Sequence, residues 1–190
     1  MNLKTFLNGT ALFIGLGLVA FQFGASARGS YHTDRIPAFL HPFVIFIFDA
    51  NREKMNPDFI NQVVDLINFE RTQADLDPLQ IDSQLSQAAQ VHTESMANDD
   101  FFSHSGVDGS SPFDRIRDTG YQYSTAAENI AAGYQTPEEV VQAWMGSAGH
   151  RANILNSNLT EIGVGIEYLA NDTGSVNYNS YWTTTFGTPI

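Results

Sequence analysis

Apolar positions recur at helical spacing at Ile60, Val63, Val64 and Ile67, which predicts a first amphipathic helix over about 58–74. Asp77-Pro78 breaks the chain behind it. A second stripe, Leu85, Ala88, Ala89, His92 and Met96, predicts a helix over about 83–97. His92 lies on the apolar face of that helix, where a buried imidazole with one hydrogen bond is expected rather than a ligand. Ser111-Pro112 opens a short third helix, with Pro112 at its first position and Gly120 just past its end. Thr136-Pro137-Glu138-Glu139 opens a fourth, capped by Thr136 with Glu139 reaching back to it, and Val140, Val141 and Trp144 form its buried side.

The period then changes. Ile162, Val164, Ile166 and Tyr168 alternate with Gly163, Gly165 and Glu167, and a further apolar run over 181–186 follows the turn-rich NDTGSVNYN. An antiparallel hairpin is the expected form. Helices first and paired strands last predict a layered α+β domain.

The amino end has another character. Lys4 precedes an apolar run, and Ala25-Ser26-Ala27 has the small-x-small form of a leader cleavage site, so 1–27 is expected to be a signal peptide. The alternative is an uncleaved membrane anchor over 5–23, which Asn8, Gly9 and Thr10 interrupt. Residues 28–56 form a linker with an apolar stretch over 36–48 that contains Pro37 and Pro42. Thirteen residues with two prolines do not cross a bilayer as a helix, and packing along the domain is expected. The folded domain is assigned to 57–190, outside the cytoplasm.

The chain has 190 residues, 43% of them hydrophobic, which supports one domain with a real core. With 21 acidic and 9 basic residues, the formal charge of −12 repels nucleic acid. The chain has no cysteine, so disulfides, thiolate metal sites and a cysteine nucleophile are excluded.

Candidate chemistry therefore rests on His92, His104, Glu128, His150 and Glu161, which can bind a divalent cation or pass protons. None belongs to a local His-x-x-x-His motif. His104 lies in FFSHSGVDGSSPF, Glu128 in AAENIAAGY and His150 in AWMGSAGHRANILN, each on an expected connection flanked by apolar sequence. Convergence on one cleft is one reading, and solubilising loop residues are the other. Ser103, Ser105 and Ser147 neighbour histidines, but no nucleophile elbow is present.

The ordered series LINFERTQADLDPLQ, AAQVHTESMANDDFFSHSG, GSSPFDRIRDTGY, AENIAAGY, VVQAWMGSAGHRANILN, EIGVGIEY and YWTTTFG resembles the successive blocks of the CAP superfamily, also called the SCP or PR-1-like domain, in its bacterial secreted form. The resemblance covers about 58–188. It implies an α-β-α sandwich with a central antiparallel sheet between helical layers, and an open cleft lined by two histidines and usually two acidic residues. It assigns His104, Glu128 and His150 to the cleft, with His104 and His150 as metal ligands for zinc or another divalent cation. Ser147 stands where many animal and plant members carry a glutamate, which removes a charge and a ligand; Glu161 is the candidate substitute. The fourth helix is expected to turn at Gly149, so that His150 faces the cleft and Arg151 turns away toward Asp114 or Glu161. The alternative for His150 is a cap on a helix-end carbonyl.

Three functions follow. One is an extracytoplasmic binding module for a lipid, glycan or peptide, with Phe101, Phe102, Phe113, Tyr121, Tyr123 and Tyr134 as groove candidates. The second is a metal-assisted hydrolase or protease in which Glu128, the catalytic candidate, activates water beside His104 and His150. The third is a structural envelope protein that contacts a wall or membrane through its N-terminal segment.

Overall fold

The computed structural model describes residues 58–190; the expected leader and the linker with its apolar stretch lie outside the described residues. The elements in chain order are α1 (Asp58–Gln73), β1 (Gln80–Ile81), α2 (Ser83–Asn98), α3 (Pro112–Asp118), β2 (Tyr123–Ala132), α4 (Pro137–Gly146), α5 (Ala148–Ile154), β3 (Glu161–Tyr168) and β4 (Ser180–Pro189). They build one four-stranded sheet in the order β1-β3-β4-β2. The three long strands are antiparallel, and the two-residue β1 runs parallel to β3. The expected hairpin is present, with Ile162 opposite Phe186 and Tyr168 opposite Ser180.

Helices cover both faces of this sheet. On one, Ile162, Val164 and Ile166 of β3 and Trp182 and Phe186 of β4 join Val63 and Ile67 of α1 and Val140, Val141 and Trp144 of α4 in the largest core cluster. On the other, α2 lies directly on β3 and β4. Gly163 and Gly165 make that approach possible: a Cβ at Gly163 would stand 2.1 Å from the Leu85 carbonyl carbon, and one at Gly165 2.5 Å from that of Ala89. Hydroxyls complete the contact, Thr93 donating to Thr183 at 2.7 Å and Thr185 to the Leu85 carbonyl at 2.8 Å. The result is the expected α-β-α sandwich.

Local chemistry differs from expectation at three points. The segment around Glu128, expected to be a connection, is strand β2. Its sequence YSTAAENIAA lacks large apolar residues at alternate positions, so its strand form comes from its pairing with β4, with Glu128 opposite Thr185 and Ala131 opposite Trp182. The second point is the joint between α4 and α5. It lies at Ser147, whose extended backbone (φ −99°, ψ 124°) ends one helix and begins the next. Gly149 sits inside α5, because one extended residue is enough to break the helical ladder and no left-handed turn is needed. The third concerns the caps. Ser111 and Asp114 form a reciprocal capping box on α3. At α4 Thr136 accepts from the Glu139 N–H at 3.3 Å, but the Glu139 carboxylate reaches past it to the Gln135 N–H at 2.8 Å.

Candidate functional site

The site wraps around the outer edge of β2, and each helical layer contributes one wall. Glu128 projects toward the α2 and α3 side, where its carboxylate is 2% exposed. His104, on the loop between α2 and α3, places Nδ1 2.7 Å from Glu128 Oε1. A carboxylate oxygen only accepts, so Nδ1 is the donor and His104 presents Nε2 outward from a half-exposed ring. Arg115 of α3 completes this wall. Its Nη2 donates to Glu128 Oε2 at 2.8 Å and to the His104 carbonyl at 2.9 Å, and its Nη1 to the Ser110 carbonyl at 3.1 Å.

The second wall comes from α5. The Asn129 side chain donates to the His150 carbonyl at 3.1 Å. Asn153 donates to Asn129 Oδ1 at 2.8 Å and to the Glu128 carbonyl at 3.2 Å. These two amides pin α5 to the Glu128 strand. His150 and Ser147 then line an open cleft of about 300 Å³ with Phe102, Tyr134, Trp144 and Tyr178. Burial, and to a lesser degree the neighbouring His104, hold the His150 imidazole below its ordinary pKa. His150 lies in the first turn of α5, and the α4 end is closed by the Ser147 N–H on the Trp144 carbonyl, so the imidazole is not a helix cap.

The structure therefore joins His104 to Glu128 on one wall and places His150 and Ser147 in the cleft on the other, with His150 near enough to His104 to feel its charge. It leaves other expectations elsewhere. Arg151 is exposed and makes neither expected ion pair: Asp114 takes Arg117 and Ser111, and the Glu161 carboxylate accepts the Tyr121 hydroxyl. Glu161, two strands from Glu128 across the sheet, does not replace the missing acid. Of the aromatic candidates only Phe102 and Tyr134 line the cleft. Phe101 packs edge-on against His92, Tyr121 is buried under α3, and Phe113 and Tyr123 pair beside Arg117. Ser103, Ser105 and Ser147 make no hydrogen bond to an imidazole through their hydroxyls among the described residues. His92 is buried with one hydrogen bond, Nε2 to the Ser103 carbonyl at 2.9 Å, as expected.

A divalent cation needs several donors around one point. Among the described residues no group of three or more His, Asp or Glu side chains could hold a metal ion. Each Glu128 oxygen already faces a donor, and one of these is a cation. The residues present do not fit a resident zinc.

Sequence reading had not singled out Arg115, Asn129 or Asn153. FDRIRD reads as an ordinary polar helix face, and Asn129 carries only the weak signal of sitting beside Glu128.

An α-β-α sandwich with an open cleft and one histidine on each wall at the edge of its sheet defines a CAP-type domain. The chain belongs to this family: residues 64–186 match the profile of the Cysteine-rich secretory protein family. It is 47% identical over 125 residues to the protein YkwD of Bacillus subtilis (strain 168), covering 66% of this chain and 45% of that one. It is 32% identical over 121 residues to the Bacillus subtilis membrane protein YlbC, covering 64% and 35%. The chain thus spans less than half the length of these curated relatives. Among solved structures it is similar to an extracellular SCP-domain protein of Bacillus anthracis str. Ames, with TM-score 0.59 and 30% identity over 67% of this chain and 39% of that one. An outer surface protein of Borrelia burgdorferi shares the fold, with TM-score 0.61 and 21% identity over 67% and 90%.

Proposed function

We propose that the protein is an extracytoplasmic binding module whose cleft takes a short glycan or peptide segment of the cell envelope. One observation carries this: an exposed aromatic pair, Phe102 and Tyr178, edge-on at 5.7 Å, rims a cleft whose other lining includes His150 and Ser147. Exposed aromatics stack on the flat faces of sugars and peptide groups, while imidazoles and hydroxyls fix orientation. The leader expected from the sequence and the extracellular description of the Bacillus anthracis structural relative agree with this location.

The 2.7 Å contact of His104 with Glu128 favours one further reading, a hydrolase. In it His104 is the base, and Glu128 orients it instead of activating water itself.

One experiment addresses both: co-sedimentation of the protein with purified peptidoglycan sacculi, comparing wild type with Phe102→Ala/Tyr178→Ala and measuring soluble fragments released. Loss of both aromatic contacts is expected to weaken retention by roughly 30-fold or more. Equal retention of wild type and variant overturns the binding reading, and fragment release that His104→Ala abolishes establishes the hydrolase.

A further inference from the structure

We propose that Arg115 is the resident cation of the Glu128 wall: its guanidinium does at Glu128 and His104 what a bound divalent cation would do, and so makes the site metal-independent. This inference goes beyond the ligand the cleft takes and does not depend on it.

The argument begins with Glu128. A carboxylate 2% exposed needs a compensating cation and filled hydrogen bonds. Arg115 supplies both from a side chain itself only 9% exposed. Its planar fork spans two chain segments at once, with Glu128 Oε2 on β2 and the carbonyls of His104 and Ser110 on the loop. A metal ion would organise such a site by gathering the carboxylate and the loop imidazole about a positive charge. Here the positive charge is covalently part of α3, and it holds the loop by its backbone, so that His104 spends only Nδ1 on Glu128.

The position of Arg115 is itself fixed. Ser111 and Asp114 cap α3 reciprocally one turn earlier, so the helix start and the direction of the arginine are set together. The charge also works against a second cation, because any ion approaching Glu128 meets the guanidinium at hydrogen-bond distance from the same carboxylate.

The test is calorimetric titration of zinc chloride into wild type, His104→Ala, Arg115→Lys, Arg115→Met and the double variant Arg115→Met/His104→Ala, with folding checked by circular dichroism. His32 and His41 lie outside the described residues, so the quantity read is the zinc-binding event that depends on His104. Wild type and Arg115→Lys are expected to have none. Arg115→Met is expected to acquire one, with at least a tenfold gain in affinity that the double variant loses. If Arg115→Met does not fold, Arg115→Gln takes its place, since its amide can still reach the Ser110 carbonyl. A one-to-one zinc event in wild type that His104→Ala removes overturns the proposal. So does a folded neutral variant as silent as wild type, because the guanidinium is then not what keeps metal out.

Discussion

The Asn129 side-chain amide donates to the backbone carbonyl of His150 at 3.1 Å, so a fully buried residue of the edge strand fixes the helix that carries a cleft histidine. Asn153 closes the arrangement by donating to Asn129 Oδ1 at 2.8 Å. Replacing Asn129 by Leu keeps the branching of the side chain and leaves the Asn153 amide and the His150 carbonyl each short of a partner. Buried groups left unpaired cost about 1–3 kcal/mol each. Urea unfolding of Asn129→Leu is expected to show a loss of about 2–4 kcal/mol, and a loss under about 0.5 kcal/mol would remove Asn129 from the support of the site.

Arg71 is a second buried arginine, with a purely architectural task. From the last turn of α1 it donates to the carbonyls of Asp77 at 2.8 Å, Ile154 at 2.8 Å, Asn156 at 3.0 Å and Leu159 at 3.1 Å. It thereby ties α1 to the connection between α5 and β3, in a chain that has no cysteine for the purpose. Arg71→Met strips these carbonyls of their donor, which should cost at least about 3 kcal/mol. For a domain of this size the melting temperature should fall by roughly 10 °C. Arg71→Lys offers one compact charge in place of a fork and should recover less than half of the loss. Full recovery by lysine in a thermal scan would mean that charge, and not the fork, does the work.

His92 makes stability depend on pH. Burial, its main cause, lowers the pKa of this imidazole. Nδ1 is buried without a hydrogen-bond partner among the described residues, so the proton it would gain has nothing to bond. The unfolded chain protonates near the ordinary imidazole value of about 6.5, while the native state resists. Stability is therefore fully present above that value and is lost as pH falls through it toward the lower native pKa. His150, also lowered by burial, adds to the same slope. His92→Gln can keep a donor toward the Ser103 carbonyl and removes one titration. Its unfolding free energy between pH 7.5 and 5 should fall less steeply than that of wild type, and identical slopes would contradict the assignment.

Much of the fold was legible because large apolar side chains repeat with the period of the element that buries them. Ile60 to Ile67, Leu85 to Met96 and Val140 to Trp144 marked α1, α2 and α4, and Ile162 to Tyr168 with Tyr181 to Phe186 marked the hairpin. The block order added the sandwich and named His104, Glu128 and His150 as neighbours. Strand β2 escaped because alanine, asparagine and glutamate carry no such period. The joint at Ser147 escaped because glycine at 149 was the stronger turn signal in the sequence.

By itself the sequence determined which segments must bury an apolar face, and that the chain must hold together without disulfides. Tertiary structure alone decided that Arg115 meets Glu128 and His104, that Asn129 meets His150, and that Arg151 meets neither of its expected partners. The physical reason is range. Burial of a large side chain is scored against water wherever it lies along the chain, so its periodicity is local information. A hydrogen bond between small polar groups exists only where folding brings donor and acceptor within about 3 Å, and nothing in either residue's neighbourhood encodes its partner.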